Sequence, residues 1–167
     1  MTVEVEVHDL PVSHGLTPVE PAYRHVLRAR LAVFWVPLAI AAVVLDRMVL
    51  AQTPLSGLPS IIVPPIALIA IIVAPGRTYR RLGYALHAQL LQVVRGWLFY
   101  TDTLVPFVRV QHIDVTRGPI EKTFGTATLV VHTAGTHNSI VMLPGLSPER
   151  ASEIRDEIRS HIRTDFE

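Results

Sequence analysis

The chain has 167 residues, no cysteine and a formal net charge of +1, with half of its residues hydrophobic and only 17% charged. Ordinary soluble domains carry about 25% charged residues, and the mean hydropathy here is +0.39. This composition excludes disulfides, thiolate metal sites and cysteine nucleophiles, argues against nucleic acid, which needs a large excess of Lys and Arg, and points to a membrane.

The first residues include the alternating run Val3-Glu4-Val5-Glu6-Val7. Such a run either adds a strand to a sheet edge or forms a tail. Residues 1–28 are expected to form a cytoplasmic N-terminal tail. Beyond them, Leu31–Leu45 contains no charged residue, Asp46 and Arg47 interrupt, and Met48–Gly76 is again uncharged. About 20 helical residues cross a hydrocarbon core of about 30 Å. The pattern therefore predicts a transmembrane helical hairpin over 29–76, with spans near 29–50 and 58–75. Arg28 and Arg30 can snorkel at one end of the first span, and Asp46 and Arg47 sit at the other interface. Pro54, Gly57 and Pro59 mark the turn between the spans. Pro64 and Pro65 remove backbone donors, which predicts a kink or a late helix start near Pro65. A buried soluble hairpin and a signal peptide are the competing readings; an acidic stretch ahead of the apolar run speaks against the second.

Arg24, Arg28 and Arg30 flank the first span and Arg77, Arg80 and Arg81 the second, whereas the connecting loop has only Arg47. Positive charge at span ends stays inside. The expected location is the inner, cytoplasmic membrane, multi-pass, with both termini cytoplasmic and a short external loop. Arg77, Arg80 and Arg81 are candidates for contact with anionic headgroups, worth about 1 kcal/mol per charge, or act only as a topology signal.

From Gly83 the pattern becomes that of strands. Leu90, Val93 and Val94 lead to an Arg95-Gly96 turn, and Trp97–Thr103 reads as the next strand. Val108, Val110, Ile113 and Val115 alternate with polar residues, apart from a skip at Gln111-His112 that predicts a β-bulge. Gly118-Pro119 ends this strand. Ala127, Leu129 and Val131 point one way and Thr126, Thr128, Val130 and His132 the other. Ala134–Asn138 reads as a hairpin loop and Ile140–Leu143 as the returning strand. Ser147, Pro148 and Glu149 then form a helix start, and Ala151, Ile154, Ile158 and Ile162 make one apolar stripe.

The chain therefore reads as an α+β membrane protein. The order Arg95-Gly96, Val105-Pro106, Arg109-Val110-Gln111-His112-Ile113, Gly118-Pro119, Phe124-Gly125-Thr126-Ala127 and His132-Thr133-Ala134-Gly135 resembles the bacterial PH-like (pleckstrin-homology-like) domain membrane proteins of the YdbS-like family. In that family RG, P…RIQ, FG and TAG elements punctuate the strands in this order, after two membrane spans. Val110 stands where the family usually has Ile. The resemblance covers about residues 29–163. It implies a two-helix hairpin followed, over 77–163, by a PH-like antiparallel β barrel or sandwich capped by a C-terminal amphipathic helix. It implies no reaction.

Phosphoinositide-binding PH domains carry several cations in the first hairpin loop; here His87-Ala88-Gln89 has none, and Lys122 is the only lysine. No specific phosphoinositide is expected. The eight His residues show no HExxH motif and no helical i, i+4 pair, so no metal is expected and no cofactor. Ser139 lies in no nucleophile motif, and Asp114 has no sequence partner for acid–base work. No catalytic residue is assigned, and the chain is expected not to be an enzyme. Arg109, Gln111 and Thr128 are candidate partner-binding positions. The alternative is structural: Arg109 pairing with Asp114 or Glu121, and Gln111 serving the bulge. The expected function is a non-catalytic membrane-anchored module, a scaffold binding a membrane or cytoplasmic protein or itself. The alternative is lipid or small-molecule handling by an oligomeric transmembrane hairpin, with Pro64-Pro65 opening a backbone site.

Overall fold

A computed structural model describes residues 15–96, 99–134 and 140–164. The alternating N-terminal run, Trp97 and most of the 134–138 loop, with His137, Gly135 and Ser139, lie outside the described residues. The element order is β1 (Thr17–Pro18), α1 (Tyr23–Met48), α2 (Leu58–Arg80), β2 (Gly83–Leu86), β3 (Leu90–Gly96), β4 (Tyr100–Pro106), a 3-10 turn at Phe107–Arg109, β5 (Val110–Thr116), α3 (Pro119–Thr123), β6 (Ala127–Thr133), β7 (Ile140–Leu146) and α4 (Pro148–Thr164).

The two long helices lie against each other as a hairpin. Their apolar side chains face outward on most sides: Val33, Phe34, Ile40, Ile61, Leu68, Ile69 and Ile72 are all exposed. Of the most apolar 18-residue window of each helix, only 6% and 11% is buried within the protein. A core helix of a soluble protein buries such a surface in protein; this one leaves it for lipid. That separates the membrane reading from the buried hairpin.

Two details of the hairpin depart from the sequence expectation. First, α2 does not start late: it runs unbroken from Leu58 and contains Pro64, Pro65 and Pro75. A further proline, Pro59, occupies the first turn, where a missing N–H costs nothing. Second, Asp46, in the last turn of α1, is not open to solvent but 2% exposed. Its carboxylate accepts the Gly57 N–H at 2.7 Å and the Ser60 hydroxyl. Gly57 is the residue that precedes α2, with φ of 90°. Asp46 thus caps α2 from the neighbouring helix, satisfying orphan donors that α2 has no side chain of its own to meet.

The folded unit begins earlier in the chain than expected. Residues 1–28 were expected as a tail, but Thr17 and Pro18 pair with Tyr84 and Gly83 as the edge of a sheet. The helix starts at Tyr23 rather than near 29, and Val19, Tyr23 and Val26 are buried in the same core as the C-terminal strands. Their apolar side chains find that core only because α1 projects out of the apolar zone by two turns.

Two antiparallel sheets enclose this core. One has the order β1-β2-β3-β4 and the other β5-β6-β7. Leu91, Val93 and Val105 of the first face Ile113, Leu129, Val131, Val141 and Leu143 of the second in one cluster. The sheets do not close into a barrel: β4 and β5 are joined by the 3-10 turn and share no ladder. Phe107 in that turn is 2% exposed and Val108 is 77% exposed, so the apolar face at this point is carried by Phe107 and not, as the alternation suggested, by Val108. The expected bulge is present as a register shift between Val110 and His112. Helix α4 is capped by Ser147, whose Oγ accepts the Arg150 N–H at 3.2 Å. Its stripe residues Ala151, Ile154 and Ile158 are fully buried against β5, β6 and the 3-10 turn.

Candidate functional surface and membrane junction

The outer face of the second sheet follows from its register. His112, His132 and Ile140 lie in one row, Asp114, Val130 and Met142 in the next, and Thr116, Thr128 and Pro144 in the third. In the first two rows the side chains form a polar cluster beside an apolar strip. The Asp114 carboxylate lies 2.8 Å from His112 Nε2 and 3.6 Å from His132 Nε2, and the two imidazoles are 5.9 Å apart. Next to them Ile140 and Met142, each 47% exposed, project from β7, which pairs only with β6 among the described residues. No group of His, Cys, Asp and Glu among the described residues is arranged to hold a metal ion.

The candidate partner-binding residues do not form one patch. Arg109 and Gln111 are exposed, at the end of the sheet where Val110 pairs with Thr133. Thr128 pairs with Thr116 at the opposite end, five strand positions away, or roughly 17 Å at about 3.3 Å per residue. Thr128 is also buried, and its hydroxyl donates to Glu121 Oε1 at 2.7 Å. Arg109 pairs with neither carboxylate suggested for it: Asp114 is taken by the two histidines, and Glu121 by Arg30.

Glu121 is the centre of a junction that sequence reasoning missed. It sits at the third position of α3, a short helix that was not anticipated between Gly118 and Ala127. One carboxylate oxygen accepts the Gly118 N–H at 2.8 Å. The other takes the Thr128 hydroxyl and the Arg30 guanidinium, the latter at 3.1 Å. Glu121 is 3% exposed, so each oxygen needs these partners. The signal was present: Gly-Pro followed by Glu at the third helical position is a helix start. Its long-range partner Arg30, 91 residues away in the chain, carried no signal.

Further contacts fasten the hairpin at the same end. The Arg24 guanidinium lies 4.0 Å from the Tyr79 ring centroid, joining α1 to α2. The Tyr79 hydroxyl donates to the Val19 carbonyl at 3.0 Å, and His25 stacks on Phe124 at 5.9 Å. The Glu20 N–H donates to the Gly145 carbonyl at 2.8 Å. Arg77, Arg80 and Arg81 are exposed on this end of α2 and on the residue after it.

A family model of the bacterial PH domain matches residues 29–162, which span both apolar helices, the two sheets and most of α4. The chain belongs to the bacterial PH domain family. It is also 33% identical over 92 residues to the UPF0699 transmembrane protein YdbS of Bacillus subtilis (strain 168), a match covering 55% of this chain and 56% of that protein. The chain thus matches only about half the length of this curated relative. No solved structure matches it. This bacterial PH domain is a membrane protein: the relative is named a transmembrane protein and the two apolar helices are exposed for lipid. The family match starts at residue 29, whereas the bacterial PH domain core also takes Val19, Tyr23 and Val26 from the residues before it.

Proposed function

We propose that this bacterial PH domain protein is a non-catalytic, membrane-anchored module that associates with another protein, or with another copy of itself, at the cytoplasmic membrane face. The observation that carries the reading is the β7 edge, which has no ladder beyond β6 among the described residues, with Ile140 and Met142 exposed beside the His112–Asp114–His132 cluster. An unpaired edge strand offers backbone donors and acceptors to a partner strand, and alternate side chains give selectivity.

The inner-membrane orientation rests on charge. Arg24, Arg28, Arg30, Arg77, Arg80 and Arg81 all belong to the end of the hairpin that holds the folded unit, and Arg47 to the other. Positive residues flanking spans favour the cytoplasm, which supports both termini lying inside. A reporter that fluoresces only in the cytoplasm, fused after Glu167, is expected to be bright; a dark fusion overturns the orientation.

Neither specific phosphoinositide nor nucleic acid fits as partner, because the β2–β3 loop at His87–Gln89 has no cation and the net charge is only +1. Lipid or small-molecule handling by the hairpin is less well supported. The one acidic side chain of the hairpin, Asp46, is occupied in capping α2.

The test is photocrosslinking in intact membranes from probes at Gln111 and Ile140, read by mass spectrometry. A reproducible protein adduct, or a dimer of the chain, supports the module. Adducts to lipid alone at both positions reject it.

A further inference from the structure

At the end of the β3–β4 hairpin the described residues include an exposed apolar pair: Phe99 is 81% exposed and Tyr100 56%. The position of this end relative to the membrane follows from the register. Strand β2 leaves the end of α2 at Gly83, and Gly83 pairs with Val94 on β3, which runs back toward the helices. Strand β3 continues through Arg95 and Gly96 before β4 begins at Tyr100, the partner of Gly96. It therefore overshoots the start of β2 by two residues, or roughly 7 Å.

The depth agrees. The uncharged run of α2 ends at Gly76 and the helix continues to Arg80, a rise of about 6 Å beyond the hydrocarbon edge at about 1.5 Å per residue. A headgroup layer is itself roughly 5–8 Å thick on each side. Gly83 follows Arg80 by three residues, so a β3 end that returns past Gly83 by roughly 7 Å comes back to about the level of Arg80 and Arg81, within that layer. We infer that the β3–β4 hairpin end, through Phe99 and Tyr100, is a third membrane contact, inserted among lipid headgroups and first acyl carbons beside the Arg77, Arg80, Arg81 and Arg95 cations. The occupant is the bilayer interface because the surface is continuous with two membrane-crossing helices. It pairs apolar and phenolic groups with cations, which is the composition of an interfacial anchor. Asp102, the nearest acid on β4, is tied to Gln92 at 2.7 Å and pairs with Val94, farther from the tip. The contact is independent of any protein partner; it fixes the tilt of the folded unit on the leaflet.

The chain has no cysteine, so single labels are clean. The full chain carrying an environment-sensitive fluorophore at Thr101→Cys, beside the tip, is reconstituted in phosphatidylcholine–phosphatidylglycerol vesicles doped with headgroup-level nitroxide lipid. The same label at Ala88→Cys, in the β2–β3 turn at the far end of the sheet, is the reference. Quenching at position 101 is expected to exceed that at 88 several-fold, and Phe99→Ser in the Thr101→Cys background is expected to bring it down toward the reference. Phe99 is exposed, so its loss leaves the core intact. Equal quenching at 101 and 88 overturns the inference. So does strong quenching at 101 that survives Phe99→Ser, since the helices and arginines alone would then hold the domain down.

Discussion

The Glu121 carboxylate joins three separate parts of the structure. It satisfies Gly118, Thr128 and Arg30 at once from a buried position. Glu121→Ala is expected to cost about 2–4 kcal/mol, because it orphans a backbone N–H and a hydroxyl and unpairs an arginine. Arg30→Ala is expected to cost only about 1 kcal/mol, since the guanidinium is half exposed and water takes over part of its role. Thermal unfolding in micelles, compared between the two, checks the asymmetry; equal losses would make the ion pair, not the buried carboxylate, the dominant group. Thr126 is the opposite case. It is fully buried and its hydroxyl meets no partner among the described residues. Thr126→Val, which keeps the shape and removes the hydroxyl, is expected to be neutral or to stabilise by up to about 1 kcal/mol, in the same assay. A clear loss of stability would mean the hydroxyl is satisfied after all.

At the scale of elements, two joints decide how the pieces meet. Gly145 lies on β7 opposite a shift in register with β6, and its φ is 80°. A Cβ there would lie 2.6 Å from Tyr23 Cγ. The bulge, the left-handed backbone and the first turn of α1 are therefore fitted to one another. Gly145→Ala is expected to destabilise by roughly 2 kcal/mol or more, combining a strained φ with overpacking, and to be partly relieved by Tyr23→Leu. Denaturant melts of the single and double variants test this; additive losses would show that the two residues do not compete for the same space. The second joint is Asp46, which caps α2 across the α1–α2 turn. Asp46→Ala is expected to cost about 1–2 kcal/mol of hairpin stability, and Asp46→Asn less, because the amide oxygen still accepts the Gly57 N–H. Detergent-resistance assays on the hairpin rank the three.

At the scale of the whole molecule, the folded unit and the membrane hairpin are one body at the arginine-rich end. The first turns of α1 supply Tyr23 and Val26 to the sheet core, Arg24 reaches Tyr79 of α2, and His25 and Arg30 reach α3 and its C-cap Phe124. Truncation before residue 29, where the family match begins, is therefore expected to unfold the sheets and not merely to free a tail. Loss of protease resistance in the C-terminal unit would report it; an intact, resistant unit would show that the first turns of α1 are dispensable. The same joining holds the β7 strand, the surface of the proposed partner contact, to the residues leading into α1 through the Glu20–Gly145 hydrogen bond.

How much of this was legible follows the range of the interactions. The two spans, the bulge at Gln111-His112, the inward face of β6 at Ala127, Leu129 and Val131 and the Ser147 cap were readable, because hydrophobic period, proline and capping are set by residues within a few positions of each other. The local signal for α3 was equally present in Gly118, Pro119 and Glu121, but so short a helix was masked by the strands on either side. The sequence could not determine that α1 begins at Tyr23 and enters the sheet core, that Asp46 turns inward to cap α2, that Thr128 is buried rather than presented, or that the two sheets stay open between β4 and β5. Each depends on which distant groups become neighbours: Arg30 with Glu121, Tyr23 with Gly145, Asp46 with Gly57. Those pairings are selected by packing and by the need of buried polar groups for a partner, and only the tertiary structure brings them together.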